Sequence, residues 1–240
     1  IGAAFRQCMA TRQYLCGCWR ATLVLKPTPY QIVILAKAGT TRKKFSAQPT
    51  RQIGLNILNI FQPNRYAQQA FTNASRLLKE TGAAGVKVEG GKVIAPTIEF
   101  LTQRGIPVMG HVGLTPQAVN ILGGYGVRGK SAAEARLIVQ DAEAVAKAGA
   151  FAMVIEGVME PIAIEITGKV ECPTIGIGAS AQCDGQVLVA EDMLGLFDRV
   201  PKFVKRFGAM QEHVEGAVKK YAEDVRSRAF PSADQLYRPE

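Results

Sequence analysis

The chain has 240 residues, of which 48% are apolar, enough to bury one sizeable core. No apolar run is long enough to cross a bilayer, and five irregularly spaced cysteines do not form a disulfide framework. We therefore expect a cytoplasmic protein without a membrane partner.

The net charge of +9 is unevenly distributed along the chain. Residues 1–79 contain 12 Lys or Arg and no Asp or Glu, whereas residues 80–240 carry 17 basic and 20 acidic side chains. The basic stretch matches no folded nucleic-acid-binding motif, so we expect no nucleic-acid partner. The chain thus has two compositions.

Residues 1–67 lack helical periodicity, although their apolar content permits strands at 22–25 and 31–38. The pattern becomes regular from about residue 68. We accordingly expect an atypical basic, acid-free segment over 1–67 and a regularly patterned domain over 68–240.

Helices and strands alternate through the second part. The apolar spacing and the capping residues predict helices over residues 69–81, 93–104, 131–149, 161–167 and 213–228. Short apolar runs predict strands over residues 84–89, 106–110, 151–156 and 173–178. This alternation implies a parallel sheet with right-handed crossovers.

Several of these strands end in polar residues, namely Glu89, His111, Glu156 and Ser180. A (β/α)8 TIM-type barrel gathers such residues at the carboxyl ends of its strands, where its active sites lie. We therefore predict an α/β fold of this type, with the part before about residue 67 atypical. A doubly wound open sheet is the alternative.

The segment Gly-His-Val-Gly-Leu-Thr-Pro-Gln at residues 110–117 is the clearest sign of catalysis. His111 directly follows a predicted buried strand, and Thr115-Pro116 is a typical start of a helix. In α/β enzymes, catalytic side chains commonly lie at such a junction between a strand and a helix.

Two further sets of residues are candidates for chemistry. Lys87 and Glu89 stand two apart on a strand and so point to the same side. They form either a pair beside an apolar interior or an exposed ion pair on an edge strand. Glu156 ends an apolar run and suits a general base, although a solvated loop residue is equally consistent with its position.

The glycine-rich stretch at residues 124–131 formally matches the phosphate-binding pattern G-x-x-x-x-G-K-S. A helix, rather than a buried strand, is predicted before it. We therefore favour a glycine-rich active-site loop over a nucleotide-binding loop.

Six motifs in order closely resemble ketopantoate hydroxymethyltransferases (3-methyl-2-oxobutanoate hydroxymethyltransferases), over about residues 68–231. They are VKVEGG (86–91), GHVGLTPQ (110–117), GGYGVRG (123–129), IGIGA (175–179), DGQVLV (184–189) and PKFVK (201–205).

The resemblance implies a (β/α)8 barrel, assembled as a homodecamer, that acts in pantothenate biosynthesis. Such enzymes transfer a hydroxymethyl unit from 5,10-methylenetetrahydrofolate to 2-oxoisovalerate. By position, Glu89 resembles a Mg²⁺ ligand, Lys87 the contact to the 2-oxo acid, and Glu156 the base that removes the C3 proton. His111 resembles a residue that supports the metal site.

The chain also departs from this family. The family carries Gly-Asp-Ser and Asp-Leu-Pro-Phe elements before the position of Val86, and both aspartates belong to its metal and substrate site. This chain has no aspartate before Asp141. Our hypothesis is that residues 1 to about 67 are a wrong-frame or corrupted segment, and we expect weak Mg²⁺ binding and little turnover. A non-catalytic barrel remnant that binds the 2-oxo acid or assembles with intact subunits is the alternative.

Overall fold

The computed structural model describes residues 67–118 and 123–237, together with the backbone of three strands at residues 21–24, 33–37 and 57–59. The chain divides into two compact units, residues 1–188 and residues 189–240.

Eight strands are assigned in the described residues: β1 (Ala21–Val24), β2 (Val33–Lys37), β3 (Ile57–Asn59), β4 (Gly85–Glu89), β5 (Val108–Gly113), β6 (Ala152–Glu156), β7 (Thr174–Ile177) and β8 (Gly185–Val189). Six α-helices accompany them: α1 (Ala67–Thr81), α2 (Ala95–Thr102), α3 (Ala132–Lys147), α4 (Glu160–Lys169), α5 (Ala190–Leu194) and α6 (Met210–Arg226).

The strands form one sheet in the order β1-β2-β8-β7-β6-β5-β4-β3. From β3 to β8 each strand pairs in parallel with the next one along the chain. A doubly wound sheet would reverse its order at a switch point, whereas a TIM-type barrel adds its strands in sequence. The α/β fold of TIM type is therefore confirmed. So is the atypical amino-terminal part, because β1 and β2 pair antiparallel.

The two faces of the sheet bury different sets of side chains, because successive residues of a strand point to opposite sides. The outer face packs against the helices through a large apolar core that includes Val86, Val88 and Ile155. The inner face holds a smaller cluster. That cluster consists of Met109, Ala152, Val154, Ile175 and Val187, with Ile177 against it.

The helices and strands predicted from residue 69 to 178 are present, with ends that differ by a few residues. The Ser131 side chain caps α3, because it accepts the Glu134 backbone N–H at 3.2 Å, which is one half of the capping box that Ser131 and Glu134 predict. The strand β8 was not predicted, since Gly185 and Gln186 interrupt its apolar pattern.

The predicted end of β5 was wrong. The strand continues to Gly113, so His111 lies within it, because β4 and β6 offer backbone partners on both sides. The helix expected from Thr115-Pro116 is a 3-10 turn over Pro116–Ala118 in the described residues, and residues 119–122 lie outside them.

In the second unit, α5 ends at Leu194 and is followed by Gly195, which has a left-handed backbone conformation. No residue of α6 is buried. One side of α6 carries an apolar stripe of five exposed side chains, Met210, Val214, Val218, Tyr221 and Val225. In the described part of the chain, no helix is both long and apolar enough to cross a membrane.

Candidate active site

Four of the predicted site residues meet on the inner face of the sheet, at the carboxyl ends of three neighbouring strands. Lys87 and Glu89 lie on β4, His111 on β5 and Glu156 on β6. The parallel register pairs Glu89 with His111, and Gly113 with Glu156, so the strand ends lie side by side. The sequence prediction that these residues converge is therefore consistent with their placement.

His111 occupies the centre of the group and is 0% exposed. Its Nδ1 lies 3.3 Å from Glu89 Oε1 and 3.4 Å from Lys87 Nζ. Its Nε2 lies 3.1 Å from Glu156 Oε2. The imidazole thus stands between two carboxylates.

Lys87 and Glu89 form a partly buried pair, as one of the two interpretations of their spacing predicted. Lys87 Nζ lies 3.9 Å from Glu89 Oε1, and the two side chains are 18% and 5% exposed. The alternative, an exposed pair on an edge strand, was wrong, because β4 lies between β3 and β5.

The electrostatics of the pair reflect its burial. Burial lowers the pKa of the Lys87 ammonium below its ordinary value, and the carboxylates of Glu89 and Glu156 offset only part of this effect. Burial acts to raise the pKa of Glu89, but His111, the Gln117 N–H and Lys87 together outweigh it. The net pKa of Glu89 is therefore below its ordinary value.

The segment at residues 110–117 wraps around the site through two backbone contacts. The Gln117 N–H donates to Glu89 Oε2 at 3.0 Å, and the Leu114 N–H donates to the Glu156 carbonyl at 2.8 Å. Gly113 makes the second contact possible, because its φ is +91° and a Cβ there would collide with the Glu156 backbone. This motif therefore holds both carboxylate-bearing strands.

The two glycines after Glu89 accommodate protein groups rather than leaving open space. The Gly90 N–H donates to the His111 carbonyl at 3.0 Å. A Cβ on Gly91 would overlap Asp141 of α3, whose Oδ1 accepts the Lys92 N–H at 2.7 Å. Sequence reasoning missed Asp141, because its only signal is an acid on a helix 49 residues away from the backbone that it binds.

The glycine-rich loop also joins the end of β6. Arg128 forms a parallel β-bridge with Val158, and its N–H donates to the Gly157 carbonyl at 2.8 Å. Its guanidinium lies 2.6 Å from Glu134. Residues 119–122, directly before this loop, lie outside the described residues, so the choice of an active-site loop over a phosphate-binding one stays a prediction.

Ser180 does not join the group, although it also follows a strand. Its hydroxyl donates to Glu160 Oε1 at 3.2 Å, and its carbonyl accepts from Gln186 at 2.8 Å. It therefore ties the segment after β7 to the start of α4.

The described residues supply at most part of a Mg²⁺ site. Magnesium takes about six oxygen ligands in octahedral geometry. Both oxygens of Glu89 are engaged, one by His111 and Lys87 and the other by the Gln117 N–H. Among the described residues no group of three or more His, Cys, Asp or Glu side chains is placed to hold a metal, and residues 1–79 contain no carboxylate side chain. The role of Glu89 as a ligand stays a prediction.

The chain is similar to known proteins over this same region. A family model described as ketopantoate hydroxymethyltransferase matches residues 57–233. The chain is 79% identical over 170 residues to the 3-methyl-2-oxobutanoate hydroxymethyltransferase of Sphingopyxis alaskensis. The same-named proteins of Novosphingobium aromaticivorans and Bartonella quintana are 67% identical over 172 residues and 58% identical over 171 residues.

These matches include 71%, 72% and 71% of the chain, respectively, and 59%, 60% and 62% of the three relatives. The chain thus spans about three fifths of the length of the curated relatives that it matches. The family match includes more than half of the chain and all four residues that converge on the inner face. The chain belongs to the ketopantoate hydroxymethyltransferase family.

Proposed function

We propose that this chain removes the C3 proton of 2-oxoisovalerate and joins the resulting enolate to the one-carbon unit of 5,10-methylenetetrahydrofolate. The product is ketopantoate, and the reaction belongs to pantothenate biosynthesis. The observation that carries the proposal is Glu156, a 17% exposed carboxylate on the inner face that shares this face with Lys87. A base and an ammonium on the same face of the sheet suit the formation of an enolate.

The proposed reaction assigns a separate task to each side chain. The Glu156 carboxylate takes the C3 proton, and the C3–H bonding electrons move to the 2-oxo group. The Lys87 ammonium offsets the negative charge that develops on that oxygen. Water opens the methylene group of the folate, so that both of its C–N bonds break and tetrahydrofolate and a one-carbon unit at the oxidation level of formaldehyde are released. C3 of the enolate bonds to this carbon, and the carbonyl oxygen of the one-carbon unit takes the proton from Glu156 and becomes the hydroxyl group.

Mg²⁺ would supply Lewis-acid polarisation of the 2-oxo group when bound. Glu89 is the one side chain that we propose as its ligand. Because the chain lacks the two aspartate motifs of the resemblance, and no group of three His, Cys, Asp or Glu side chains is placed to hold a metal among the described residues, we expect weak Mg²⁺ binding and slow complete turnover. Proton removal by Glu156 is therefore the partial reaction to test.

The test is deuterium exchange at C3 of 2-oxoisovalerate in D₂O, followed by proton NMR without folate and over a range of Mg²⁺ concentrations. Glu156→Gln keeps the shape of the side chain but removes the base, so the exchange rate is expected to fall on the order of 10²-fold or more. Glu165→Gln on α4 is the matched control, because this exposed acid forms an ion pair with Lys169. Equal exchange by the two variants would contradict the proposal.

A second function is favoured only by the absence of the Gly-Asp-Ser and Asp-Leu-Pro-Phe aspartates from the sequence. The chain would then be a non-catalytic remnant that binds the 2-oxo acid through Lys87 or assembles with intact subunits. Saturable binding of 2-oxoisovalerate in calorimetry, without C3 exchange at any Mg²⁺ concentration, would establish this function instead.

We also propose that the chain forms a homo-oligomer, with the decamer implied by its resemblance as the expected state. The exposed apolar stripe on α6 supports self-association, because contiguous apolar surface of this kind is typical of interaction sites.

A further inference from the structure

His111 has more polar neighbours than a core histidine needs. Its ring is fully buried on β5, and carboxylates approach it from the strands on both sides. A ring that only fills space would be adequately packed by the apolar inner-face cluster. The two carboxylates therefore point to a role in placing charged side chains.

The two ring nitrogens differ in how they are satisfied. Nδ1 contacts both Glu89 and Lys87. Nε2 is buried without an aligned hydrogen bond in the described part of the chain, and Glu156 Oε2, at 3.1 Å, is the acceptor in contact with it. Movement of Glu156 away from His111 would remove this polar contact from a fully buried ring nitrogen, which is unfavourable, so the contact opposes that movement.

We propose that His111 is a positioning residue for Glu156, holding its carboxylate over the inner face and limiting its swing. This inference rests on the proposed function in taking Glu156 as the base. It assigns His111 primarily to the base on β6, rather than to the support of a metal at Glu89. His111 itself does not need to touch the substrate.

The first experiment does not depend on activity. The chain contains only two histidines, His111 and the exposed His213, so the protein labelled with ¹⁵N-histidine gives two sets of ring signals that one His213→Gln variant assigns. Glu156→Gln is expected to shift the Nε2 resonance of His111 and to leave His213 unchanged. A Nε2 resonance that is the same in Glu156→Gln and in the control Glu165→Gln would overturn the inference.

The second experiment uses two replacements of His111, each of which places an amide nitrogen near the position of one ring nitrogen. The amide nitrogen of His111→Gln lies near the position of Nε2 and can still reach Glu156, whereas that of His111→Asn lies near Nδ1 and cannot. We expect His111→Asn to lower kcat for C3 exchange on the order of tenfold or more with little change in KM, and His111→Gln to restore part of it. The opposite ranking would overturn the inference.

The two proposals fail in different ways. If the wild-type chain exchanges no deuterium, the proposed function fails, while the ¹⁵N shifts still decide whether Glu156 is held by His111. If exchange depends on Glu156 but the His111 resonance does not respond to Glu156→Gln, the positioning role alone fails. Far-UV circular dichroism checks that each variant is folded.

Discussion

Glu89 connects three separate parts of the site. One of its oxygens faces His111 and Lys87, and the other accepts the backbone N–H of Gln117. The carboxylate therefore joins β4, β5 and the turn that follows β5. Its charged form is stabilised by these partners, which is why its pKa lies below the ordinary value despite burial.

Because the pKa of Glu89 is lowered in the folded state, we expect the contribution of Glu89 to stability to depend on pH. A carboxyl with a lowered pKa in the folded state stabilises the protein fully above its unfolded pKa of about 4.5, and this contribution is lost as the pH falls through the folded pKa. Glu89→Gln should lower the free energy of unfolding at pH 7 by on the order of 1–3 kcal/mol, and the difference should shrink in acid.

Urea unfolding from pH 7 down to about pH 3 checks this prediction. Glu165→Gln is the control, since an exposed ion pair contributes at most about 1 kcal/mol. A loss for Glu89→Gln that is constant across this pH range would mean that hydrogen bonding, and not charge, accounts for its effect.

At the level of elements, α3 holds the turn that follows β4. Asp141 binds the Lys92 N–H, and Gly91 leaves the space that this side chain fills. The contact fixes the direction in which the chain leaves Glu89 and starts α2. A helix on the outer face thereby orients residues on the inner face.

Asp141→Ala is expected to cost about 1–2 kcal/mol of unfolding free energy, because a backbone N–H loses its charged acceptor. Asp141→Asn should cost less, since the amide oxygen still accepts. Gln140→Ala, an exposed neighbour on α3, is the control in the same urea unfolding measurement. Similar losses for Asp141→Ala and Gln140→Ala would show that the tether is not formed.

The alternation of elements was predictable, because amphipathic periodicity and caps are local properties of the sequence. The gathering of Lys87, Glu89 and Glu156 followed from the rule that parallel strands end at one edge. The contact between His111 and Glu156 was not predictable from the residues, because it depends on the register of β5 and β6. The end of β5 was misjudged for the same reason, since partners on both sides extend a strand beyond its apolar run.

At the level of the whole molecule, the apolar stripe on α6 predicts how the chain associates. Val218→Glu places a charge within the stripe and is expected to reduce the size of the proposed oligomer, because burying an unpaired carboxylate is unfavourable. Sedimentation velocity measures this change directly.

Gly216→Glu is the matched control, because it adds the same charge on the other side of α6, where a Cβ meets no neighbouring atom within 4 Å. An oligomer that is equally reduced by both substitutions, or by neither, would contradict a role for the stripe.

The difference in composition between the acid-free amino-terminal stretch and the rest of the chain is also a property of the whole molecule. The family match begins at residue 57, whereas the acid-free stretch extends to residue 79. Reading the other frames of the coding DNA tests our hypothesis for residues 1 to about 67. If no frame encodes the two aspartate motifs, the hypothesis is wrong.

Because the two faces of the sheet carry different side chains, we expect the protein to be sensitive to insertions and deletions within β4. On β4, Lys87 and Glu89 face inward while Val86 and Val88 contact the helix-packed core. Loss of a single residue within the strand would exchange the two sets, so that Lys87 and Glu89 would face the helices and the valines would face inward. Substitutions on the inner face can change the polar side chains there while the apolar core on the outer face stays intact. The strand is therefore expected to tolerate substitutions better than insertions or deletions.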